Sequence, residues 1–431
     1  MPSMVGQTSS NMLISRRLAV IGALCASSLG SRAAHALYAD DEGNLTLGAS
    51  FRTTTCAIDM YDVGARPTGG AGGLSLSSLR LTADGDPSDW FSYELHTVQD
   101  VQFGTAPSVA PSFGFLAPTT SRYRLVEGSV DWVTEPDFQA RLWWDRASLK
   151  YHLPGFDVEV GRQAVTFGKA HFWNPLDVFL PFDARQFDRE YKSGVDALRI
   201  DIPVGMMSGI NVVMVPGRVD GARVTQRSWY GSALVLRGYT NIADWDLAAQ
   251  GGKIYGGAQV GGGFTGTLGP VELRGEAAYF HALRDAREPV FVPSHWLGVA
   301  GLGRLFDCSL NLQAEYLYNG AGNDDSLDVA LSRLAQGRAL QMSEHVAGAV
   351  ASYDLLPILS GSVAVLASLS DGSAAIQPGL VYSVSDESDV LVGALVALGE
   401  HPEPSPTGGL ELKSEFGSYP SLYYVEYKLY F

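Results

Sequence analysis

Ser421-Leu422-Tyr423-Tyr424-Val425-Glu426-Tyr427-Lys428-Leu429-Tyr430-Phe431 is the stretch whose reading decides the fold. Taken two by two from its end, Phe431, Leu429, Tyr427, Val425 and Tyr423 are all apolar or aromatic. The residues between them are Tyr430, Lys428, Glu426 and Tyr424. A strand sends successive side chains to opposite faces. One face of this strand therefore suits lipid and the other a wet interior. An amphipathic edge strand of a soluble sandwich would alternate in the same way, but it gives no reason for an aromatic at the last position.

The rhythm recurs upstream. Leu45, Leu47, Ala49 and Phe51 oppose Asn44, Thr46, Ser50 and Arg52. Phe91, Tyr93 and Leu95 oppose Ser92, Glu94 and His96. Val271, Leu273, Ala277 and Tyr279 oppose Glu272, Arg274 and Glu276. Leu310, Leu312, Ala314, Tyr316 and Tyr318 oppose Ser309, Asn311, Gln313 and Glu315. Cutting the chain at its turn residues predicts strands near 45–53, 74–81, 90–99, 139–151, 156–165, 194–203, 209–215, 230–239, 243–252, 257–267, 270–281, 295–305, 309–319, 344–354, 358–369, 373–384, 388–398 and 420–431. That is an all-β chain: a transmembrane antiparallel barrel of about 18 strands, or 16 if 358–369 and 388–398, which alternate poorly, are set aside. Connections alternate between short, as at Leu153-Pro154-Gly155 and Leu268-Gly269-Pro270, and long, as at 54–73, 100–138, 166–193, 282–294, 320–343 and 399–419. Short periplasmic turns and long outer loops are the bacterial pattern, and an even count puts both termini in the periplasm. Helical spacing at Leu327, Ala330, Leu331 and Leu334 predicts a short helix over 326–341 on an outer loop.

Composition agrees. Gly numbers 49, aromatics make up 10% and charged residues only 18%, against about 25% charged in a typical soluble domain. The best candidate for a membrane helix, Leu355 to Leu369, is broken by Pro357, Ser360 and Gly361 and falls short of the ~20 residues needed. Residues 1–36 read as a signal peptide: Arg16 and Arg17, an apolar run from Leu18 to Leu29, and Ala34-His35-Ala36 as cleavage site. Residues 37–431 then form one barrel domain, exported by the general secretory route. The formal charge of −16 excludes a nucleic-acid partner, whose phosphates need basic surface. Cys56 and Cys308 fall at opposite ends of the barrel and are expected to be free.

The most distinctive stretch runs from Gly161 to Ala197. It holds Gly161-Arg162-Gln163, Phe167-Gly168, Phe172-Trp173-Asn174-Pro175-Leu176-Asp177-Val178-Phe179, Pro181-Phe182-Asp183 and Gly194-Val195-Asp196-Ala197. It is too aromatic for a disordered loop and long enough to be functional. These residues resemble outer-membrane porin-like proteins, the broad group around alginate exporters and other porins of about 16 to 18 strands. The resemblance implies a channel, with 166–193 as a candidate constriction loop folded inward. Its charges are mixed: Arg162, Lys169, Arg185, Arg189, Lys192 and Arg199 against Asp177, Asp183, Asp188, Glu190 and Asp196. Arg162 falls on the outward parity of Phe156, Val158 and Val160, so either a bulge turns it inward or it marks the membrane edge.

Further inward charges are expected at Arg52, Glu94, Glu272, Arg274, Glu276, Glu315, Glu426 and Lys428. Tyr151, Tyr279, Trp296, Tyr316, Tyr318, Tyr382 and Tyr423 are expected in interface girdles. Tyr423, Val425, Tyr427, Leu429 and Phe431 resemble the terminal signal read by the barrel-assembly machinery. The expected surroundings are outer-membrane lipids and lipopolysaccharide of a Gram-negative-type bacterium, the expected cargo small hydrophilic solutes, and the assembly a monomer or a trimer. Nothing calls for a cofactor. Asn323, Asp324, Asp325 and Asp328 read as a solvated acidic loop rather than a calcium site, and the eight His are scattered without ligand spacing. Competing functions are an exporter, an adhesive or structural barrel, and a lipid hydrolase, for which no Ser is placed beside His96, His281, His295 or His345. A plugged transporter would need a domain before Leu45.

Overall fold

A computed structural model describes residues 37–60, 70–104, 122–126, 128–179, 191–218, 228–284, 290–322, 327–335, 337–405 and 410–431. The signal-peptide reading of 1–36 lies outside them. Eighteen strands form one closed antiparallel barrel in chain order. They are β1 (Thr46–Met60), β2 (Gly70–Ser88), β3 (Phe91–Gly104), β4 (Phe138–Leu153), β5 (Phe156–Gln163) and β6 (Val195–Pro203). Then come β7 (Gly209–Val215), β8 (Ala233–Ile242), β9 (Trp245–Ile254), β10 (Gly257–Leu268), β11 (Val271–Ala282) and β12 (His295–Leu305). The last are β13 (Asn311–Asn319), β14 (His345–Leu356), β15 (Leu359–Ser368), β16 (Ala374–Ser385), β17 (Ser388–Leu398) and β18 (Ser421–Tyr430). Among the described residues one α-helix, α1 (Leu327–Ala335), lies on the loop where helical spacing placed it. The count of 18 holds, and 16 does not.

The seam closes where the last strand meets the first. β18 pairs with β1 from Ser50↔Tyr430 to Asp59↔Ser421, and the Phe431 N–H donates to the Ala49 carbonyl at 2.8 Å. Closure removes the unpaired edge that no strand can present to lipid. Parity follows the sequence. Tyr423 and Val425 are exposed on the outer face while Leu422 and Glu426 are buried. Trp296, Tyr316 and Tyr382 likewise face out. Val425 sits mid-strand between Val392 and Thr55. Val425→Arg is expected to lower the unfolding free energy by about 2–4 kcal/mol. Guanidinium titration of the protein folded into vesicles measures it.

Two local features shift the expected boundaries. β8 and β9 run two to three residues later than predicted because their turn is Ala243-Asp244, with φ of 52° and 65°. Two consecutive residues at positive φ make the turn that matches strand twist, and they are normally Asn or Gly. The second feature is an accessory strand, Ser129–Glu135, inside the segment expected to be all loop. It pairs with the outer half of β4, from Ser129↔Trp143 to Glu135↔Phe138.

Candidate functional site

β5 ends at Gln163, and the chain then leaves the wall. Gly161 makes the exit possible: its φ is +123°, and a Cβ there would lie 2.2 Å from the Ala147 carbonyl oxygen. Residues 164–179 run inside the barrel, bonded to inward-facing side chains of the far wall. From β8, Arg237 donates to the Phe167 carbonyl at 2.7 Å. From β9 and β10, Gln250 and Gln259 donate to the carbonyls of Leu176 and Pro175 at 2.8 and 3.1 Å. From β11, the Glu276 carboxylate accepts the N–H groups of Lys169 and Leu176 at 2.7 and 3.1 Å. From β13, the Glu315 carboxylate accepts those of His171 and Phe172 at 2.5 and 2.8 Å. The loop ties its own waist through Asn174, whose Oδ1 accepts the Ala170 N–H at 2.8 Å.

An irregular backbone inside a barrel must have its amides satisfied. Five strands supply the partners from their inward faces. Glu276 and Glu315 do face inward, as their parity demands, but they bind backbone amides and are both buried. Arg274 lies 3.1 Å from Glu315 and 3.6 Å from Glu272, so these three charges form one network beneath the loop.

Arg162 requires a correction. It lies on the outward face, in the cross-strand line Leu95–Ala147–Arg162–Asp196, and no bulge turns it into the lumen. Nor does it stand exposed at the membrane edge. It is 6% exposed because residues 122–126 and Gly128 lie over it. Its guanidinium holds Asp196 through two bonds of 2.7 and 3.1 Å and also donates to the carbonyls of Trp144 and Val126. Asp196 in turn accepts the N–H groups of Leu125 and Val126. β5 pairs β4 only up to Ala147, and the accessory strand takes over at Trp143, with the Gly128 carbonyl bridging to Trp144. The wall position vacated by the inward turn is thus filled by another piece of chain, and Arg162–Asp196 fastens the join.

The return limb is clamped on the opposite side. A β-bulge in β4 turns Asp145 inward, where it meets Arg80 at 2.5 Å. Arg80 stacks on Tyr191 with 4.1 Å to the ring centre, and Arg146 donates to the Lys192 carbonyl at 2.9 Å. Lys192 Nζ reaches both Asp177 carboxylate oxygens at 2.5 Å, joining return limb to inner loop. Burial pushes the Asp177 carboxyl up and the Lys192 ammonium down, each opposed by the other's charge.

Of the other expected charges, Lys169 lies on the inner loop and Glu94 beside the clamp, and the rest sit apart from this centre. Lys169 pairs with Asp246 at 2.9 Å. Arg199 pairs with Asp201 at 2.9 Å. Glu426 accepts from Thr54 at 2.6 Å, with Lys428 at 3.6 Å and Arg52 at 4.0 Å. Glu94 lies 3.4 Å from Arg146. Asp183, Arg185, Asp188, Arg189 and Glu190 lie outside the described residues.

Sequence reasoning missed a second inward segment, 414–419, between β17 and β18. The buried Glu415 carboxylate accepts the N–H groups of Met342 and Ser343 at 3.0 and 2.9 Å. Phe416 and Tyr419 join Phe172 and Trp173 of the inner loop in one apolar cluster with Leu317, Met342, Val346 and Leu366. On β15 only Ala364 and Leu366 pack against this cluster, and Ser360, Ser362 and Ser368 share their inward face. Gly348 of β14 faces Phe172 and Trp173, and a Cβ there would lie 2.8 Å from the Phe172 ring. Gly348→Val is expected to push these aromatics off the wall, seen as faster proteolysis of the inner loop in the folded protein.

No family model matches this chain, and no curated protein sequence does either. Solved structures do match. OccK11 (OpdR) of Pseudomonas aeruginosa aligns over 92% of this chain and 100% of its own, with a TM-score of 0.54 and 10% identity. OccAB3 of Acinetobacter baumannii aligns over 90% and 99%, with 0.51 and 11%. OpdK of Pseudomonas aeruginosa, solved with vanillate, aligns over 90% and 99%, with 0.52 and 10%. The fold is porin-like. At such identity the likeness concerns the fold and leaves the chemistry of the lumen to this chain's own residues.

Proposed function

We propose that this chain is a passive outer-membrane channel for small hydrophilic solutes, with 164–179 as its constriction. The observation that carries the reading is the inner loop itself. A closed barrel needs no loop across its interior for closure, yet here five wall strands each hold one there with a dedicated polar side chain. That arrangement narrows a lumen to a fixed aperture. No reaction is assigned to it. An exporter of an anionic polymer fits less well, because such cargo needs a strongly basic lumen. The charges beside the loop are mixed, with Arg80, Arg146 and Lys192 interleaved with Asp145, Asp177 and Glu94. The adhesive and hydrolase readings have no comparable support.

Planar-bilayer recording of the refolded protein tests the proposal. Stable unitary conductance with weak charge preference is expected, and its absence in a properly folded barrel overturns the proposal. Swelling of protein-loaded liposomes in sugars of increasing size then gives the cut-off set by the loop.

A further inference from the structure

We infer that the inner wall carries a divalent transition-metal site made of Asp84, Glu94 and His96. Asp84 comes from β2, and Glu94 and His96 from β3, two residues apart and so on one face. The register sets Asp84 opposite Glu94 and Thr82 opposite His96, and this face is the inward one because Leu95 between them faces out. One ligand atom from each of the three lies within 4.8 Å of the others.

The spacing is what a small cation requires. Zinc bonds of about 2.0–2.1 Å in a tetrahedron place ligand atoms roughly 3.3 Å apart. His96 Nε2 lies 3.1 Å from Asp84 Oδ1 and 3.4 Å from Glu94 Oε1. The ring is more than nine-tenths buried, and its Nδ1 meets no hydrogen-bond partner among the described residues. Its strong interactions therefore run through Nε2 into the carboxylate pair. The carboxylates remain open to the lumen, with side chains 45% and 30% exposed. A cation entering from water has a path, and water completes its coordination.

Ligand chemistry selects the ion. One imidazole with two carboxylates suits zinc, nickel or copper; magnesium and calcium prefer all-oxygen shells. Arg146 lies 3.4 Å from the same Glu94 oxygen. It offsets part of the negative charge, which further disfavours ions held by charge alone.

Position gives the site a consequence. His96 pairs across to Arg146, one residue from the line of Ala147 and Arg162, where the inner loop leaves the wall. A bound dication would stand at the level of the proposed constriction, on the side facing the loop's return limb.

Calorimetric titration of zinc into the full chain, refolded in detergent without a histidine tag, tests the site. It does not depend on whether the barrel conducts. One saturable site is expected, weakened about tenfold or more by His96→Ala and by the near-isosteric Asp84→Asn, and unchanged in His345→Ala. Cobalt(II) should give a visible absorption band that His96→Ala abolishes. Heat-modifiable migration on gels confirms that each variant is folded. Absence of zinc binding overturns the inference, as does equal affinity in the His96 and Asp84 variants, or magnesium binding as tightly as zinc.

Discussion

Replacing Glu276 and Glu315 together by alanine is expected to release the inner loop and raise the mean single-channel conductance, with slow fluctuations as the loop moves in and out. These two carboxylates accept four loop amides, those of Lys169, Leu176, His171 and Phe172. A buried N–H left without a partner costs about 1–3 kcal/mol, and bonds to charged acceptors lie at the upper end. Loss of four destabilises the inward position by on the order of 5 kcal/mol or more, over three decades in its population. Arg237, Gln250 and Gln259 hold loop carbonyls, which lumen water can satisfy, so they do not compensate. The fitting control is Glu272→Ala. It lies on the same face of β11, but its side chain is 41% exposed and its ion pair is with Arg274. A double variant with unchanged conductance and unchanged protease resistance of 164–179 would show that apolar packing of Phe172, Trp173 and Leu176 alone keeps the loop inside.

The barrel was legible because its physics is written residue by residue. Lipid on one face and loop or water on the other impose a period of two, and 209–215, 295–305 and 388–398 coincide with their strands to the residue. Where the reading slipped, the cause is local. Ala243 takes a positive φ where Asn, Asp or Gly is usual, so the turn gave little signal and β8 and β9 were set too early. The accessory strand Ser129–Glu135 was hidden because a loop and a short hairpin share the residues Thr134-Glu135-Pro136-Asp137 between apolar flanks.

The inner loop was recognisable by its aromatic density, since Phe167, Phe172, Trp173 and Phe179 need partners to bury against. What parity could not give was the use of each charge. It placed Glu276 and Glu315 inward correctly, but a carboxylate facing solute and one binding backbone amides look alike in sequence. The difference depends on which distant segment arrives beside it. The grouping of Asp84 with Glu94 and His96 escaped notice for a related reason. Cross-strand neighbours ten residues apart form no motif, and only the register of β2 on β3 brings them together.

Arg162 shows how an apparent violation of parity carries information. A charge on the lipid side should cost a barrel roughly 2–4 kcal/mol near the midplane. Here the charge is withdrawn from lipid by 122–126 and Gly128 and matched by Asp196, so the cost is avoided only while both partners and the covering segment are present. Arg162→Ala is expected to destabilise the barrel by about 3–5 kcal/mol, because it strands a half-buried carboxylate. Asp196→Ala should cost a similar amount by stranding the guanidinium, whose side chain is 6% exposed. Arg162→Leu with Asp196→Leu should recover much of the loss, since apolar side chains of similar volume suit a covered site facing lipid. Guanidinium unfolding of the wild type, the two alanine variants and the Arg162→Ala/Asp196→Ala double variant gives the coupling energy directly. The join also holds the wall closed where β5 turns inward, so Arg162→Ala should unsettle the inner loop. Protease sensitivity in that loop, at denaturant concentrations where the barrel stays folded, separates this role from a simple loss of global stability. If the double-leucine protein is no more stable than the single variants, the bonds to the Trp144 and Val126 carbonyls, rather than the charge pair, hold the two pieces of wall together.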